Sequence, residues 1–271
     1  MKRRLMVAIF VVTLIAVPLW AAEEESATDL AKKAQNPVAD MMSFPFQNNM
    51  NFGYGPNDGM QNVTNIQPVI PIHLSEDWNL ITRTIMPLIY QPWPEYKFGL
   101  GDIQFTPFFS PAKPAKFIWG AGPVFQFPTA TDDVLGTGKW TVGPSAVGLL
   151  MEGPWVVGLL AQNVWSYAGD SDREDVNALL AQPFVNYNLK EGWYLTFSPI
   201  ITANWKADKG SDVWTVPLGL GFGKIFRIGK LPFNANISSF YNVAKPEVGP
   251  DWTLRMQLAI LLPTSVFKKE K

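Results

Sequence analysis

The sequence predicts an all-β fold, a transmembrane antiparallel up-and-down β-barrel of about 12 strands. Three observations predict it. Apolar and polar residues alternate with a period of two along most of the chain. Aromatic residues are abundant at 13% and charged residues scarce at 17%, yet mean hydropathy is only +0.04, as expected when one face of each strand meets lipid and the other water. No run of 18 apolar residues follows residue 22, so any crossing of a bilayer has to be made by strands.

Composition narrows the function. The 271 residues include 21 Gly and 23 Pro, which disfavour long helices. The absence of Cys excludes disulfides, thiolate metal sites and a cysteine nucleophile. Net charge is −1 with no basic patch, so nucleic acid is not an expected partner. No cofactor motif is present, and no catalytic or metal residues are assigned.

The first element is an address. Lys2, Arg3 and Arg4 precede an apolar run from Leu5 to Val17, then Pro18, Trp20-Ala21-Ala22 and the acidic Glu23-Glu24-Glu25. That order predicts a signal peptide over residues 1–22. Bulky Trp20 at the −3 position leaves an uncleaved anchor as the alternative. Removal of residues 1–22 takes away three of the 22 basic residues and none of the 23 acidic ones. Residues 23–40 follow as a periplasmic lead-in. Within it, Ser26 to Asp40 can form a short helix capped by Thr28 or Asp29 and ended by Asn36-Pro37. It is either a mobile lead-in or a helix that plugs the lumen.

The barrel is expected over residues 41–263 and a charged tail over residues 264–271. Strands are predicted at 42–54, 62–74, 78–90, 101–110, 116–127, 139–151, 155–167, 176–189, 193–205, 213–227, 232–243 and 251–262. Trp193, Leu195, Phe197, Pro199, Ile201, Ala203 and Trp205 form one face of their strand, with Tyr194, Thr196, Ser198, Ile200, Thr202 and Asn204 opposite. Indole rings at both ends of an apolar face suit the two membrane interfaces. Trp252, Leu254, Met256, Leu258 and Ile260 repeat the pattern, with Thr253, Arg255, Gln257 and Ala259 opposite; residues 233–243 alternate likewise. Short connections at 75–77, 111–115, 152–154, 190–192 and 228–231 interleave with longer ones at 55–61, 91–100, 128–138, 168–175, 206–212 and 244–250. That is the asymmetry of short periplasmic turns and longer outer loops.

A weak internal repeat relates Gln67 to Leu80 and Gln182 to Leu195: in both, a strand enters an acidic turn and a Trp opens the next strand. Pro87, Pro107, Pro123, Pro144 and Pro217 recur inside predicted strands and suggest bulges or local kinks.

Several of these segments carry a family likeness. They are Gly122 to Asp133, Gly153-Pro154-Trp155-Val156-Val157-Gly158, Asn163-Val164-Trp165-Ser166 and Gln182 to Asn188. Together the chain resembles, over about Asp29 to Pro263, the outer-membrane proteins grouped with the meta-pathway phenol-degradation family, some of which are mislabelled "neuromedin U". The resemblance implies a barrel in the bacterial outer membrane with a transporter role, and carries no catalytic or binding residues with it. One departure from outer-membrane barrels is the charged ending Lys268-Lys269-Glu270-Lys271 after Val266-Phe267.

The ionisable residues define the candidate site. His73 is the only histidine, and Ser75 is its nearest hydroxyl. A Ser-His lipid hydrolase would need an oxyanion hole and a third partner, neither of which is marked, so a rim histidine is the expectation. Asp132-Asp133, Asp170, Asp172, Glu174 and Asp175 lie on outer loops, as solvated or lipopolysaccharide-bridging groups or as oxygen ligands for calcium. Gly219, Gly221 and Gly223 read as inward-facing wall glycines, not a nucleotide loop. Arg83 and Arg255 fall on polar strand faces, since exposure at the bilayer midplane would cost about 2–4 kcal/mol. Each is therefore either a strut paired with a wall carboxylate or a selectivity element. With Gln257, Gln67, Gln182 and Asn186 they form the candidate lumen set, flanked by Gln47, Asn49, Asn51, Gln104, Gln126 and Gln162. The expected function is an outer-membrane, porin-like channel for small solutes, aromatic or hydrophobic ones included. The alternative is a structural barrel with a side-chain-filled lumen. Expected partners are outer-membrane lipid and lipopolysaccharide, a small-molecule solute and the barrel-assembly machinery; no enzyme activity is expected.

Overall fold

The computed structural model describes residues 26–113, 115–208 and 210–263. The expected signal peptide of residues 1–22 and the charged tail of residues 264–271 lie outside the described residues.

A closed antiparallel barrel is built from 15 hydrogen-bonded segments. Three strands are each interrupted once, so the segments make twelve strands. They are β1 (Met41–Tyr54), β2 (Gly59–Ile66 with Val69–His73), β3 (Trp78–Gln91), β4 (Lys97–Leu100 with Ile103–Pro111), β5 (Phe117–Phe127) and β6 (Lys139–Glu152). After these come β7 (Trp155–Gly169), β8 (Asn177–Asn188), β9 (Trp193–Phe197 with Ile201–Asn204), β10 (Trp214–Ile228), β11 (Leu231–Ala244) and β12 (Trp252–Pro263). Each strand pairs with its sequence neighbours, and β12 closes on β1 from Met41↔Pro263 to Phe52↔Trp252. Closure leaves no sheet edge, as a bilayer interior requires.

The alternation places the side chains. On β9, Tyr194 and Thr196 are buried while Trp193 and Leu195 are exposed. On β10, Leu218, Leu220 and Phe222 point outward, so Gly219, Gly221 and Gly223 face the lumen. A Cβ on Gly223 would collide with the Tyr194 ring, and one on Gly221 with Ser238 Oγ, so these glycines make room for lumen side chains. Two aromatic girdles result. At the short-turn end, Trp78 meets Trp119 at 5.9 Å and Trp155 meets Tyr187 at 4.7 Å. At the loop end, Phe52 stacks on Trp252 at 4.2 Å and Trp205 meets Trp214 at 5.3 Å. Trp193 and Trp205 mark the two ends of β9. At about 3.3 Å per residue and a tilt of about 40°, the rings stand roughly 30 Å apart along the axis, matching an apolar band. Not every outward residue is apolar: Asn48 donates to Asn62 Oδ1 at 2.8 Å and to Thr64 Oγ1 at 2.7 Å, a polar cluster that satisfies itself on the outer face of β1 and β2.

The strand prolines interrupt ladders, because proline has no N–H to donate. Pro123 faces Pro144 directly across β5 and β6. Pairing of β4 with β5 jumps from Phe105↔Phe125 to Phe109↔Ala121, around Pro107. β9 lapses between Phe197 and Ile201, around Pro199. Only Pro217 brings a register shift on its own strand pair. The expected kinks are thus mostly gaps in hydrogen bonding at constant register. At two of them a glycine precedes the proline: a Cβ on Gly122 would strike the Pro107 carbonyl, and one on Gly143 the Asn163 carbonyl.

The N-terminal segment forms α1 (Ala27–Ala34). Its cap is Ser26, not Thr28 or Asp29: Ser26 Oγ accepts from the Asp29 N–H at 3.1 Å. The three residues from Ser26 place its hydroxyl over the third N–H of the turn, whereas Thr28 and Asp29 already have helical backbone. The helix lies at the short-turn mouth against β1, β8, β10 and the 190–192 turn.

Candidate functional site: a plugged lumen

Two apolar clusters hold the N-terminal segment in the barrel. Leu30 and Ala31 of α1 pack with Ala39 and Met41 against Ile225 of β10 and Ala259 and Leu261 of β12. On the opposite wall Val38 inserts among Ile81, Phe108, Val147, Leu149, Val156, Leu160 and Phe184 from β3, β4, β6, β7 and β8. These wall residues are inward-facing and apolar, an unusual choice for a barrel interior unless something apolar covers them. Full burial of a side chain such as Leu30 or Val38 is worth about 1.5–3 kcal/mol. Polar contacts fix the pose. Gln35 and Asn188 exchange amide hydrogen bonds at 2.9 and 3.1 Å, and His73 Nε2 lies 3.3 Å from Asp40 Oδ2. The lead-in is therefore a plug, with its last residue running straight into β1.

Above the plug lies a lumen cavity of about 300 Å³, and on its short-turn side a second of about 450 Å³. Lys33, Asn36, Ala39 and Met41 line both, so the plug is the partition between them. The upper cavity brings together five of the six candidate lumen residues: Gln67, Arg83, Gln182, Asn186 and Gln257. Arg83 Nη2 donates to Gln67 Oε1 at 2.8 Å, and Gln162 donates to Gln104 at 3.1 Å within the same wall.

Arg255 is placed differently. It is buried, at 7% exposure, and does not line the cavity. Its Nε donates to Asn49 Oδ1 and its Nη1 to the Ser198 carbonyl, both at 2.9 Å, while the guanidinium sits 4.7 Å over the Phe240 ring. Arg255 thus reaches along the inside of β11 and β10 to hold β9 where its ladder has lapsed. The expected carboxylate strut is corrected to one made with a carbonyl, an amide and a ring face. A backbone oxygen released by a neighbouring proline leaves no trace in composition or spacing, so nothing in the sequence points to this partner.

The rim residues are engaged elsewhere. His73 Nδ1 contacts Asn79 Oδ1 at 2.8 Å as well as facing Asp40, and Ser75 Oγ accepts from the Asp77 and Trp78 N–H groups of its turn. On the loop side Asp102 accepts from Thr137 N–H and Oγ1, Ala130 N–H and Gln126 Nε2. Gln126 shares the inward face with its cross-strand partner Gln104, as expected, and at the loop end it donates to Asp102, which ties down the 128–138 loop. Asp175 pairs with Lys139 at 3.4 Å.

Lys97 and Asp132 pair at 2.7 Å across the outer loops. The hydrogen bond from Lys97 holds the Asp132 carboxyl below its ordinary 3.8, and the same bond raises Lys97 above 10.5. A carboxyl lowered by folding contributes fully above its unfolded value and loses its contribution as pH falls through the folded one. A raised lysine contributes fully below its unfolded value and loses its contribution as pH rises through the folded one. The loop clasp is therefore intact at neutral pH and released at acid and alkaline extremes. Asp132→Asn is expected to speed hydrogen exchange at the Thr131 N–H, which donates to Leu100 O at 3.0 Å, with barrel melting unchanged. Because both partners are only half-buried the effect is small; unchanged exchange would show that the clasp does not hold the loop.

No protein-family model matches the chain, and no curated protein matches it. Among solved structures it is similar to the COG4313 outer membrane channel from Pseudomonas putida F1, with a TM-score of 0.62 and 18% identity over 82% of this chain and 94% of that one. It is also similar to the NanC porin, with a TM-score of 0.54 and 7% identity over 81% of this chain and 98% of that one. The fold is that of an outer-membrane β-barrel.

Proposed function

We propose that the protein is an outer-membrane channel for small solutes whose periplasmic mouth is closed by its own N-terminal segment. One observation carries this reading: two cavities inside a continuous wall are separated only by a non-covalently held plug. The similar structures, a channel and a porin by description, support it. Short turns on the plug side then face the periplasm and long loops face outward. Passage of aromatic or hydrophobic solutes, the role suggested by the likeness to the meta-pathway phenol-degradation family, agrees with the apolar residues that share the upper cavity with its amides. The filled short-turn half of the lumen favours a second reading, a structural barrel that conducts nothing. Planar-bilayer recording and liposome swelling with neutral, acidic and aromatic solutes separate the two. Ion steps and solute entry are expected; silence in both assays, for the intact and the plug-deleted protein alike, would establish the structural barrel.

A further inference from the structure

We propose that the upper cavity is a binding site for a small amphipathic monocarboxylate, with Arg83 as its anchor. The inference deepens the channel reading by naming a solute class for that cavity.

The argument starts from charge. Arg83 lines the cavity, and among the described residues no Asp or Glu does. A guanidinium keeps its charge at any ordinary pH, so the cavity is permanently positive and repels cations. Next comes hydrogen bonding. A guanidinium offers five N–H donors in a planar fork. Among the described residues the Arg83 side chain has one acceptor, Gln67 Oε1. Arg255 by contrast is bedded on an amide, a carbonyl and a ring. One arginine is thus built into the wall, and the other presents its fork to the cavity. A carboxylate fits that fork with two parallel bonds.

An inorganic anion would satisfy Arg83 and leave the rest of the lining idle. Ile85 stands two residues along the same face of β3, and Leu160, Leu180 and Phe184 complete an apolar wall in the same cavity. On β8 the inward positions alternate apolar and amide, Leu180, Gln182, Phe184, Asn186. A ligand with an anionic head and an apolar body uses both halves. Size sets the limit: at about 30 Å³ per water, the cavity holds the equivalent of about ten waters, room for one ring with a short acidic arm.

The test is titration calorimetry on the purified, plugged protein in an uncharged detergent, using phenylacetate, its neutral isostere phenylacetamide, phenethylammonium and acetate. Phenylacetate is expected to bind about tenfold or more tighter than phenylacetamide, through the charge-assisted pair, and tighter than acetate, which lacks the ring. Phenethylammonium is expected not to bind. Arg83→Gln is expected to bring phenylacetate down to the level of phenylacetamide. Equal affinity for acid and amide in the unmodified protein, acid preference retained in Arg83→Gln, or no binding of phenylacetate overturns the site. The unmodified protein alone decides the first and last outcomes, so a misfolded variant does not mask failure. Binding is read without passage: phenylacetate binding with no conductance would sink the channel and leave the site, and conductance without binding the reverse.

Discussion

A variant lacking residues 26–38 is expected to conduct roughly tenfold more than the intact protein, because removal of an apolar constriction lets water and ions fill the path. The segment supplies Leu30, Ala31 and Val38, all buried, to the two clusters that seal the short-turn mouth. It also supplies the partition between the two cavities. Deletion joins the cavities and wets Ile81, Phe108 and Ile225, so a lower melting temperature should accompany the higher conductance. Leu30→Asp is a milder form of the same change. An ionised carboxylate is not tolerated among Ile225, Ala259 and Leu261 without a partner, so the helix is expected to leave its seat while the rest of the segment stays attached. Planar-bilayer recording of the three proteins checks this. Equal conductance in all of them would mean that the plug does not control the path, and that the lumen is blocked elsewhere.

The two arginines are expected to part company when each is replaced by glutamine. Arg255→Gln leaves the Ser198 carbonyl without its side-chain donor, leaves Asn49 Oδ1 with the 3.5 Å bond from Gln47 Nε2, and leaves Phe240 without its cation. A buried acceptor left unsatisfied costs about 1–3 kcal/mol, so a loss of that order follows for the Ser198 carbonyl, seen as a clear drop in melting temperature with ion preference unchanged. Arg83→Gln removes one bond to Gln67 from a residue that already borders the cavity, so stability should move little. Anion over cation preference should fall, since a fixed positive charge in a narrow lumen favours anions. Melting curves and reversal potentials in a salt gradient read both quantities. If the two variants lose stability alike and keep the same reversal potential, Arg83 is a strut and the selectivity role is lost.

The strand pattern was legible because a barrel imposes one rule everywhere. Every residue of β9 or β12 meets either lipid or lumen, so the period of two is written into Trp193 to Trp205 and Trp252 to Ile260 with little interference. Turn positions followed from the same constraint: the 190–192 and 228–231 connections had to fall where the alternation broke. The cavity set was legible in part. Gln67, Arg83, Gln182, Asn186 and Gln257 converge because inward-facing positions at similar height on a closed wall have to face one another. Gln126 was read on the right face, but its bond to Asp102 was not legible, since alternation gives the face of a residue but not its height or its partner.

The sequence by itself determined a cysteine-free chain with lipid-facing and lumen-facing halves, because hydropathy is a local property that each strand carries alone. Whether the lumen is open was decided only by tertiary structure. Leu30, Ala31 and Val38 are ordinary residues in a short polar segment, and Phe108 or Leu149 read equally well as lumen or core. Their meaning appears when α1 and the residues after it fold back into the mouth of the barrel and bury both sets at once. The two arginines make the same point. They are indistinguishable in pattern, yet one is fixed beneath a backbone gap on β9 and the other faces a cavity. Only closure of twelve strands into a ring brings Ser198 within reach of Arg255 and leaves Arg83, among the described residues, with Gln67 Oε1 as its acceptor.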